Sequence, residues 1–328
     1  MSAERTAGRP SASVSLDSDN VWSYMKTHGD EGWQDYPSYL EPLFEIVLDK
    51  MRRRGLRITV FIVGQDAALD KNAAPLARIA SEGHDIGNHS FSHEPWFHLY
   101  SPQKVEQEIR VAEEHIHRVT GHRPRGYRGP GFSLTPETLR VLVSRGYVVD
   151  ASTFPTFLGP LARAYYFFQS RNLSPAERKD RKALFGSAKE GFRPIKPYLW
   201  RLQGSAPTIL EIPVTTMPLA RVPMHMSYLL YLSMRSSGLA LAYLRTAVAL
   251  CKARGVQPSF LLHPLDFLGG DVEHRLNFFP AMAMPTERKL ELLDRVLDEL
   301  ARHFDLVDMQ THAQRLLASA DLPIQDAP

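Results

Sequence analysis

Short runs of β-branched and aromatic residues alternate with helical patterns along most of the chain, an order typical of β/α units around a parallel sheet or barrel. Residues 57–63, with the sequence RITVFIV, give the clearest strand. The short run 84–90 and a turn-rich strand end at 126–131 continue the alternation. The other predicted strands are 13–17, 147–150, 208–214 and 258–263.

Helices are predicted between these strands from their spacing and their end signals. Ser101 and Thr135 each precede a proline, so each is expected to cap a helix whose first position is that proline. After the first strand the sequence predicts a turn rather than a helix. The remaining predicted helices are 40–55, one that ends at Gly83, one over 239–254 and one around 290–300.

The chain has 328 residues, 44% of them hydrophobic and 23% charged, which excludes disordered, collagen-like and disulfide-scaffold proteins. We expect one domain over 1–328 with an insertion, because α/β barrels of roughly 200–250 residues fold as one unit, although two domains of roughly 150 residues also fit this length. The segment 161–203 interrupts the alternation with a helix start at 174–177 and no strand, and we interpret it as a mostly helical insertion. Its ten Lys or Arg and three Asp or Glu give +7, which leaves −4 for the rest of a chain of net charge +3.

The cellular location is predicted from what the sequence lacks. Cys251 is the one cysteine, so no intramolecular disulfide can form and a reducing compartment is favoured. The first twenty residues have no apolar run of the secretory type, and no stretch has the roughly 18 apolar residues of a membrane span. We therefore expect a cytoplasmic protein. A net charge of +3 without a recognised nucleic-acid module indicates no nucleic-acid partner.

The basic segment has two interpretations. Its Lys and Arg are interleaved with aromatic residues, and the apolar run 224–234 follows downstream. This combination suits an anionic membrane surface, so peripheral contact with the inner membrane through 161–234 and a lipid-linked substrate are one hypothesis. In the other, the aromatic residues form the core of a helical subdomain and the charges form its solvated face.

Two aspartates and two histidines carry the candidate chemistry. Asp17 and Asp19 end the first strand, and barrel enzymes gather their reactive groups at that end. One carboxylate can bind a metal while the other acts as a base, although the pair alone also fits a turn or a helix cap. His89 and His93 lie four residues apart in HSFSH, so in a helical turn both imidazoles would bind one cation. Two imidazoles and a carboxylate leave positions open for water and substrate, the pattern of a catalytic site.

Two further features are expected at the same face of the sheet. Arg128, Pro130 and Gly131 lie at a strand end before a helix, where a glycine lets the backbone approach a substrate and offer an N–H to an oxyanion. His263 ends the strand 258–263. From the residues alone, it is either a core histidine or a catalytic acid.

In this order, LDSD (16–19), HSFSH (89–93), RGPGF (128–132), DASTFP (150–155) and FLLHP (260–264) resemble the motifs of the polysaccharide deacetylase family, the NodB-homology carbohydrate esterases. The resemblance runs from about 13 to 263, and HSFSH is its most specific part. It implies a distorted (β/α)7 TIM-like barrel, here with the basic, mostly helical insertion.

The resemblance implies the base and the metal ligands. Asp17 would be the general base, and Arg128 would orient it. Asp19, His89 and His93 would bind a divalent cation. Zinc is the ion expected from the family, and cobalt, nickel, iron or manganese could bind the same ligands.

The resemblance also implies the acid and the substrate contacts. Asp150 would support His263, the general acid. The N–H of Gly131 would stabilise the oxyanion, and Phe132 would contact the sugar. This chain has Gly131 before Phe132 where the family has an aromatic residue directly after the proline, and it has Phe154 near the place of a tryptophan.

The implied function is removal of the N-acetyl group from an amino sugar in a polysaccharide or a lipid-linked precursor, with release of acetate. The third and fourth motifs look most like the branch associated with exopolysaccharide synthesis. A deformylase of a lipid-linked formamido sugar would use the same residues and release formate. A catalytically inactive carbohydrate-binding homologue is disfavoured because every reactive residue is present, and a metal-independent amidohydrolase of purine breakdown is disfavoured because both metal histidines are present.

Overall fold

The computed structural model describes residues 9–159, 188–204, 206–319 and 321–328. The described strands are β1 (Ser11–Asp17), β2 (Thr59–Ile62), β3 (Asp85–Asn88), β4 (Gly126–Tyr127), β5 (Val149–Asp150), β6 (Tyr198–Arg201), β7 (Pro207–Glu211), β8 (Ser259–Leu262), β9 (Asp305–Val307) and β10 (Ile324–Asp326). They form one sheet in the order β10-β6-β7-β5-β4-β3-β2-β1-β8, with β9 also beside β1. Every neighbouring pair is parallel except β6 with β7.

Seven of these strands, β1 to β5 with β7 and β8, form the barrel-like part of the sheet. The chain beyond β7 reaches β8, because the N–H of Thr215 donates to the carbonyl of Ser259 at 3.1 Å. In return the N–H of Ser259 donates to Oγ1 of Thr215 at 2.7 Å. The predicted α/β class and its mainly parallel, seven-stranded arrangement are confirmed.

Helices cover the sheet between successive strands, and the two proline-start helices begin where the sequence predicts. Ser101 accepts a hydrogen bond from the N–H of Lys104, and Thr135 accepts one from the N–H of Thr138. The described α-helices are α1 (Val21–His28), α2 (Leu40–Arg53), α3 (Gly64–Ala68), α4 (Ala73–Ser81), α5 (Pro102–Thr120), α6 (Pro136–Ser144), α7 (Met226–Ser233), α8 (Ser237–Arg254), α9 (Thr286–His303) and α10 (Met309–Ser319).

The expectation of a turn after the first strand is wrong, because α1 begins four residues beyond Asp17. Asn20 caps this helix, and its side chain accepts a hydrogen bond from the N–H of Val21. Val21 and Trp22 are buried against the barrel. The helix was not predicted because its eight residues carry only a short apolar pattern.

The segment 161–203 is described only from residue 188 onwards, so most of the expected helical insertion lies outside the described residues. Its described end corrects the expectation that it holds no strand. Tyr198 and Trp200 alternate with more exposed neighbours along β6, and both are buried. This alternation of inward and outward side chains is that of an antiparallel strand, and β6 pairs with β7 in that sense.

The core lies between the sheet and its helices. Cys251 of α8 is fully buried in this core, and burial raises the pKa of its thiol to about 12. Across the described ranges, each helix is too short or too polar to cross a membrane. The packing leaves the carboxyl ends of the parallel strands at one rim, where the candidate residues lie.

Candidate metal centre and active site

Three predicted ligands converge at the rim of the barrel. Asp19, His89 and His93 each offer one ligand atom, and these atoms all lie within 4.8 Å of one another. Oδ1 of Asp19 is 3.3 Å from Nε2 of His89 and 3.0 Å from Nε2 of His93. The structure therefore brings together the three residues that the motifs assigned to one cation.

The atoms at the centre fit a metal ion. Oδ1 of Asp19 and both ring nitrogens of His93 are buried, and within the described ranges they make no hydrogen bond. Buried polar atoms without partners are costly, and a shared divalent cation would satisfy them. One carboxylate and two imidazoles are ligands that zinc and related divalent ions accept.

His89 is oriented by the backbone. Its Nδ1 lies 2.6 Å from the carbonyl oxygen of Arg128, which can only accept, so Nδ1 carries the hydrogen and Nε2 is left free as a ligand. The ring is nearly fully buried. Arg128 thus takes part in the site through its main chain as well as its side chain.

HSFSH reaches the site as a loop after β3, so the expected helical turn is wrong. Ser90 and His93 both have positive φ angles, of 60° and 51°, which no α-helix contains. Glu108 of α5 holds this loop, because its carboxylate accepts hydrogen bonds from the N–H groups of Phe91 and Ser92 at 3.2 and 2.8 Å. The two imidazoles converge because of this anchored bend.

The electrostatics of the centre favour a positive ion. Burial alone would raise the pKa of the Asp19 carboxyl, but the neighbouring imidazoles of His93 and His89 hold it well below its usual value. Burial would lower the pKa of His89, but the carboxylates of Asp17 and Asp19 outweigh that effect and raise it. The two carboxylates thus stabilise a positive charge at this position, on the His89 ring or on a bound cation.

Metal affinity is therefore expected to rise with pH. Because the pKa of His89 is raised, its ring must lose a proton before Nε2 can bind a cation. Below that pKa, each rise of one pH unit is expected to lower the dissociation constant of the metal by about tenfold, because one proton is released on binding. Calorimetric titration in two buffers of different ionisation enthalpy would measure the proton release, and an affinity independent of pH would contradict this prediction.

The predicted base is held by a buried arginine. Nη1 of Arg128 donates to Oδ1 of Asp17 at 2.6 Å and to Oγ of Ser15 at 3.0 Å. Nε of Arg128 donates to the carbonyl of Ala151 at 3.0 Å. Oδ2 of Asp17 is 4.0 Å from Nε2 of His89, so Asp17 lies next to the metal centre.

The turn at Gly131 packs against the histidine loop. Gly131 has a φ of 58°, and a Cβ there would come within 2.8 Å of Cβ of Pro95, two residues after His93. The Phe132 ring lies 4.8 Å from that of Phe154. These contacts place the predicted oxyanion donor and the predicted sugar-contacting ring beside the centre.

His263 lies on the other side of Asp17. Leu262 is paired with Leu16 in the parallel register of β8 and β1, so His263 and Asp17 leave their strands side by side. The His263 ring is 6.1 Å from the ring of His225. His225 is in turn 5.7 Å from the ring of Phe154, so a row of rings joins the Gly131 turn to the predicted acid.

Asp150 is not brought to His263. It accepts a hydrogen bond from Oγ of Ser152 at 2.5 Å, and in the described part of the chain no hydrogen bond joins it to His263. Asp150 instead forms a buried carboxyl pair with Glu211, in which burial first, and then Asp150, raise the pKa of Glu211 well above its usual value. The expected support of His263 by Asp150 is not seen: Oδ1 of Asp150 binds Ser152, and Oδ2 has no hydrogen-bond partner among the described residues.

Several residues of the site were not predicted. Tyr39 donates to the carbonyl of Asp19, and Asp66 accepts from Asn20 at 2.7 Å, so both hold the loop that carries Asp19. Burial raises the pKa of Asp66 to about 7. These residues come from separate elements and form no motif, so the sequence carried no signal for them beyond their polar character.

The fold and the centre define a barrel-type α/β protein in which Asp19, His89 and His93 could hold a metal ion. Residues 30–149 match the family model described as polysaccharide deacetylase, in agreement with the resemblance of the motifs. The matched segment includes both metal histidines and Arg128. Asp17, Asp19 and His263 lie outside it, so their place in the site depends on the geometry above.

Curated relatives match part of the chain. A peptidoglycan-N-acetylglucosamine deacetylase of Bacillus cereus is 29% identical over 31% of this chain and 36% of its own length. The peptidoglycan-N-acetylglucosamine deacetylase PgdA of Listeria monocytogenes is 31% identical over 26% of this chain and 17% of its own length. A chitin deacetylase of Colletotrichum lindemuthianum is 29% identical over 32% of this chain and 44% of its own length. Less than half of each of these relatives is thus matched.

Two solved structures share the fold over nearly the whole chain. A Mycobacterium smegmatis protein described as a polysaccharide deacetylase has a TM-score of 0.57 at 16% identity, covering 97% of this chain and 94% of that one. The allantoinase PuuE has a TM-score of 0.56 at 15% identity, covering 96% and 92%. At these identities the two structures show the fold alone.

Proposed function

We propose that the protein hydrolyses the N-acetyl amide of an amino sugar in a glycan and releases acetate. The observation that carries the proposal is the convergence of Asp19, His89 and His93 beside the Asp17–Arg128 pair, with His263 next to Asp17. The family match and the deacetylase names of the curated relatives support the same reaction.

The proposed roles of the side chains follow from their positions. A divalent cation held by Asp19, His89 and His93 would polarise the amide carbonyl and acidify water, zinc being the ion that the family favours. Asp17 would accept a proton from the attacking water, and Arg128 holds the carboxylate in place. Phe132 and Phe154 would form a wall for the sugar ring.

Two groups would complete the reaction. The N–H of Gly131 would donate to the oxyanion, a contact whose loss typically costs about 2.7–4 kcal/mol. His263 would donate a proton to the departing amine. The products would be acetate and a free amino sugar.

The reaction can be tested with the purified protein and its leaving group measured directly. N-acetylglucosamine oligomers and undecaprenyl-linked N-acetylated sugars would be incubated with enzyme, and acetate, formate and free amine would be quantified. We expect equal amounts of acetate and free amine. Formate release from a formamido sugar in place of acetate would identify the deformylase, and no release above the His89→Ala background would contradict the proposal.

We also propose that the protein is cytoplasmic and contacts a membrane that presents a lipid-linked substrate. Tyr231 and Met234, at the end of α7, and Leu239, at the start of α8, are large apolar residues with exposed fractions of 60%, 43% and 50%. Ser227 on the first turn of α7 contacts His263, so the exposed apolar residues and the predicted acid share one short helix. A sugar on a lipid carrier would thereby reach the site from the membrane side.

Vesicle co-sedimentation tests this contact. At low salt we expect more binding to vesicles with phosphatidylglycerol than to pure phosphatidylcholine vesicles. Replacing both Tyr231 and Met234 by serine is expected to weaken binding roughly tenfold, because serine gains no transfer free energy when it enters the apolar part of the membrane. Leu317→Ser on α10 changes an equally exposed leucine and is the control. Equal sedimentation with both lipids would end the proposal.

A further inference from the structure

The side chain of His263 is contacted by a residue of α7 that the motifs did not include. Oγ of Ser227 lies 3.2 Å from Nδ1 of His263. Ser227 is the second residue of α7, which follows His225, and both are partly buried. A hydroxyl group is therefore a hydrogen-bond partner of the His263 ring.

A buried carboxylate lies behind this hydroxyl. Oδ2 of Asp266 accepts a hydrogen bond from the backbone N–H of His263 at 2.7 Å, and Asp266 is fully buried. Burial raises the pKa of Asp266, while the charge of His263 and the hydroxyl of Ser227 act in the opposite direction. Asp266 is thus near both the histidine and the serine.

The turn that carries these groups is fixed from a second helix. Nζ of Lys289, a fully buried residue of α9, donates to the carbonyls of Leu265 and Leu268 at 2.7 Å each. Burial lowers the pKa of Lys289 to about 8. His263 and Asp266 are therefore held in one rigid turn against α7 and α9.

We propose that Ser227 is the positioning residue of His263, linking its ring to the buried carboxylate of Asp266 in the place that the motifs assign to Asp150. This inference rests on the proposed deacetylase function. In this arrangement Nδ1–H of His263 would donate to Oγ of Ser227. The Ser227 hydroxyl would in turn donate to the Asp266 carboxylate, whose Oδ1 is buried and has no hydrogen-bond partner among the described residues. Nε2 then faces the reaction with its own hydrogen.

The proton balance of the step follows from this arrangement. As the amide C–N bond breaks, Nε2–H of the His263 imidazolium transfers its proton to the departing nitrogen, and the electron pair of that bond stays on the nitrogen. The ring becomes neutral and keeps Nδ1–H on Ser227. After the amine leaves, Asp17 releases to solvent the proton that it took from the attacking water, and solvent returns a proton to Nε2, so no other reactant is needed.

Among the described residues, the charged groups around the His263 ring are the carboxylates of Asp266 and Asp17 and the ammonium group of Lys289. His225, whose ring is 6.1 Å away, stays neutral because burial first, and then the charge of His263, lower its pKa to about 3. Tyr24 of α1 is partly buried near Asp266 and Asp19, and desolvation with these carboxylates raises its pKa well above the usual value, so it too is neutral. Lys289 lies behind Asp266, and Asp17 is the neighbour on β1.

A pair of isosteric substitutions tests the proposal. Ser227→Thr keeps the hydroxyl, whereas Ser227→Val has the same shape without it. We expect Ser227→Val to lower kcat by about tenfold with KM within about twofold, and Ser227→Thr to retain the wild-type kcat, because a hydrogen bond to a charged group is lost only in the valine variant. Equal melting temperatures of the two variants would exclude a folding defect.

A second measurement does not depend on turnover. The pKa of the His263 ring would be read from its NMR titration, with the resonance assigned by His263→Gln. We expect the pKa in Ser227→Val to be about one unit below that in Ser227→Thr, because the imidazolium loses its link to Asp266. Asp150→Asn is the matched carboxylate control and is expected to shift this pKa less.

The outcomes separate the two proposals. Equal kcat and equal His263 pKa in the threonine and valine variants would overturn the role of Ser227. A His263 pKa that falls in Asp150→Asn but not in Ser227→Val would also overturn it and return the role to Asp150. If the wild-type protein released no acetate while the pKa difference persisted, the proposed function would fail and the link from Ser227 to His263 would stand.

Discussion

His89→Ala is expected to remove the bound metal and to lower kcat by about 10³-fold or more, because the cation supplies several kcal/mol of transition-state stabilisation. His89 is one of three converging ligands, and its Nδ1 is already committed to the carbonyl of Arg128. Alanine leaves only Asp19 and His93 at the centre. Metal content by atomic emission and kcat on an N-acetylated oligomer would be measured on the same preparation.

The control for this variant is His122→Ala, which removes an exposed histidine after α5 and is expected to change neither quantity. Added metal at high concentration should restore part of the activity of His89→Ala if two ligands remain. Full metal content with full activity in His89→Ala would show that the three residues do not form the working site.

Asp17→Asn is expected to lower kcat by about 10²–10⁴-fold, the usual contribution of a general base, while the metal content stays that of the wild type. Asparagine keeps the size of the side chain and can still accept from Arg128, but it cannot take a proton. Since Asp17 is not one of the three converging ligands, the loss separates proton transfer from metal binding.

The same substitution has a cost in stability. Arg128 is fully buried, and Asp17 is the carboxylate that pairs with its charge. Leaving a buried charge unpaired costs about 3–5 kcal/mol, so a lower melting temperature is expected and activity must be assayed well below it. Asp321→Asn, at an exposed position, is the control. A folded, metal-loaded Asp17→Asn protein with more than a tenth of the wild-type kcat would exclude Asp17 as the base.

The strands could be predicted from sequence because their apolar runs are short and bounded by turns, and β1, β2 and β8 lie where expected. The ends of those strands carry Asp17 and His263, so the rim could be predicted as well. The parallel order of β1 beside both β2 and β8 then explains how residues far apart in the chain meet.

What could not be predicted depends on contacts between distant segments. Ser90 and His93 have positive φ angles in a loop whose backbone donates hydrogen bonds to the carboxylate of Glu108. The spacing of His89 and His93 in the sequence does not reveal this contact. The partner of His263 was assigned to Asp150 by motif order, whereas the structure gives it Ser227. The choice between these two side chains is made by the packing of α7 against the turn after β8, and no local pattern encodes it.

Arg128 couples the candidate site to the architecture of the barrel. Its guanidinium lies over the ring of Phe61 at 4.4 Å and binds groups that belong to β1 and to the chain after β5. The group that aims Asp17 is therefore also a cross-link through the middle of the barrel. A substitution of Asp17 would leave the buried guanidinium of Arg128 without its carboxylate. We therefore expect related chains to vary more at Phe132 and Phe154 than at Asp17 and Arg128.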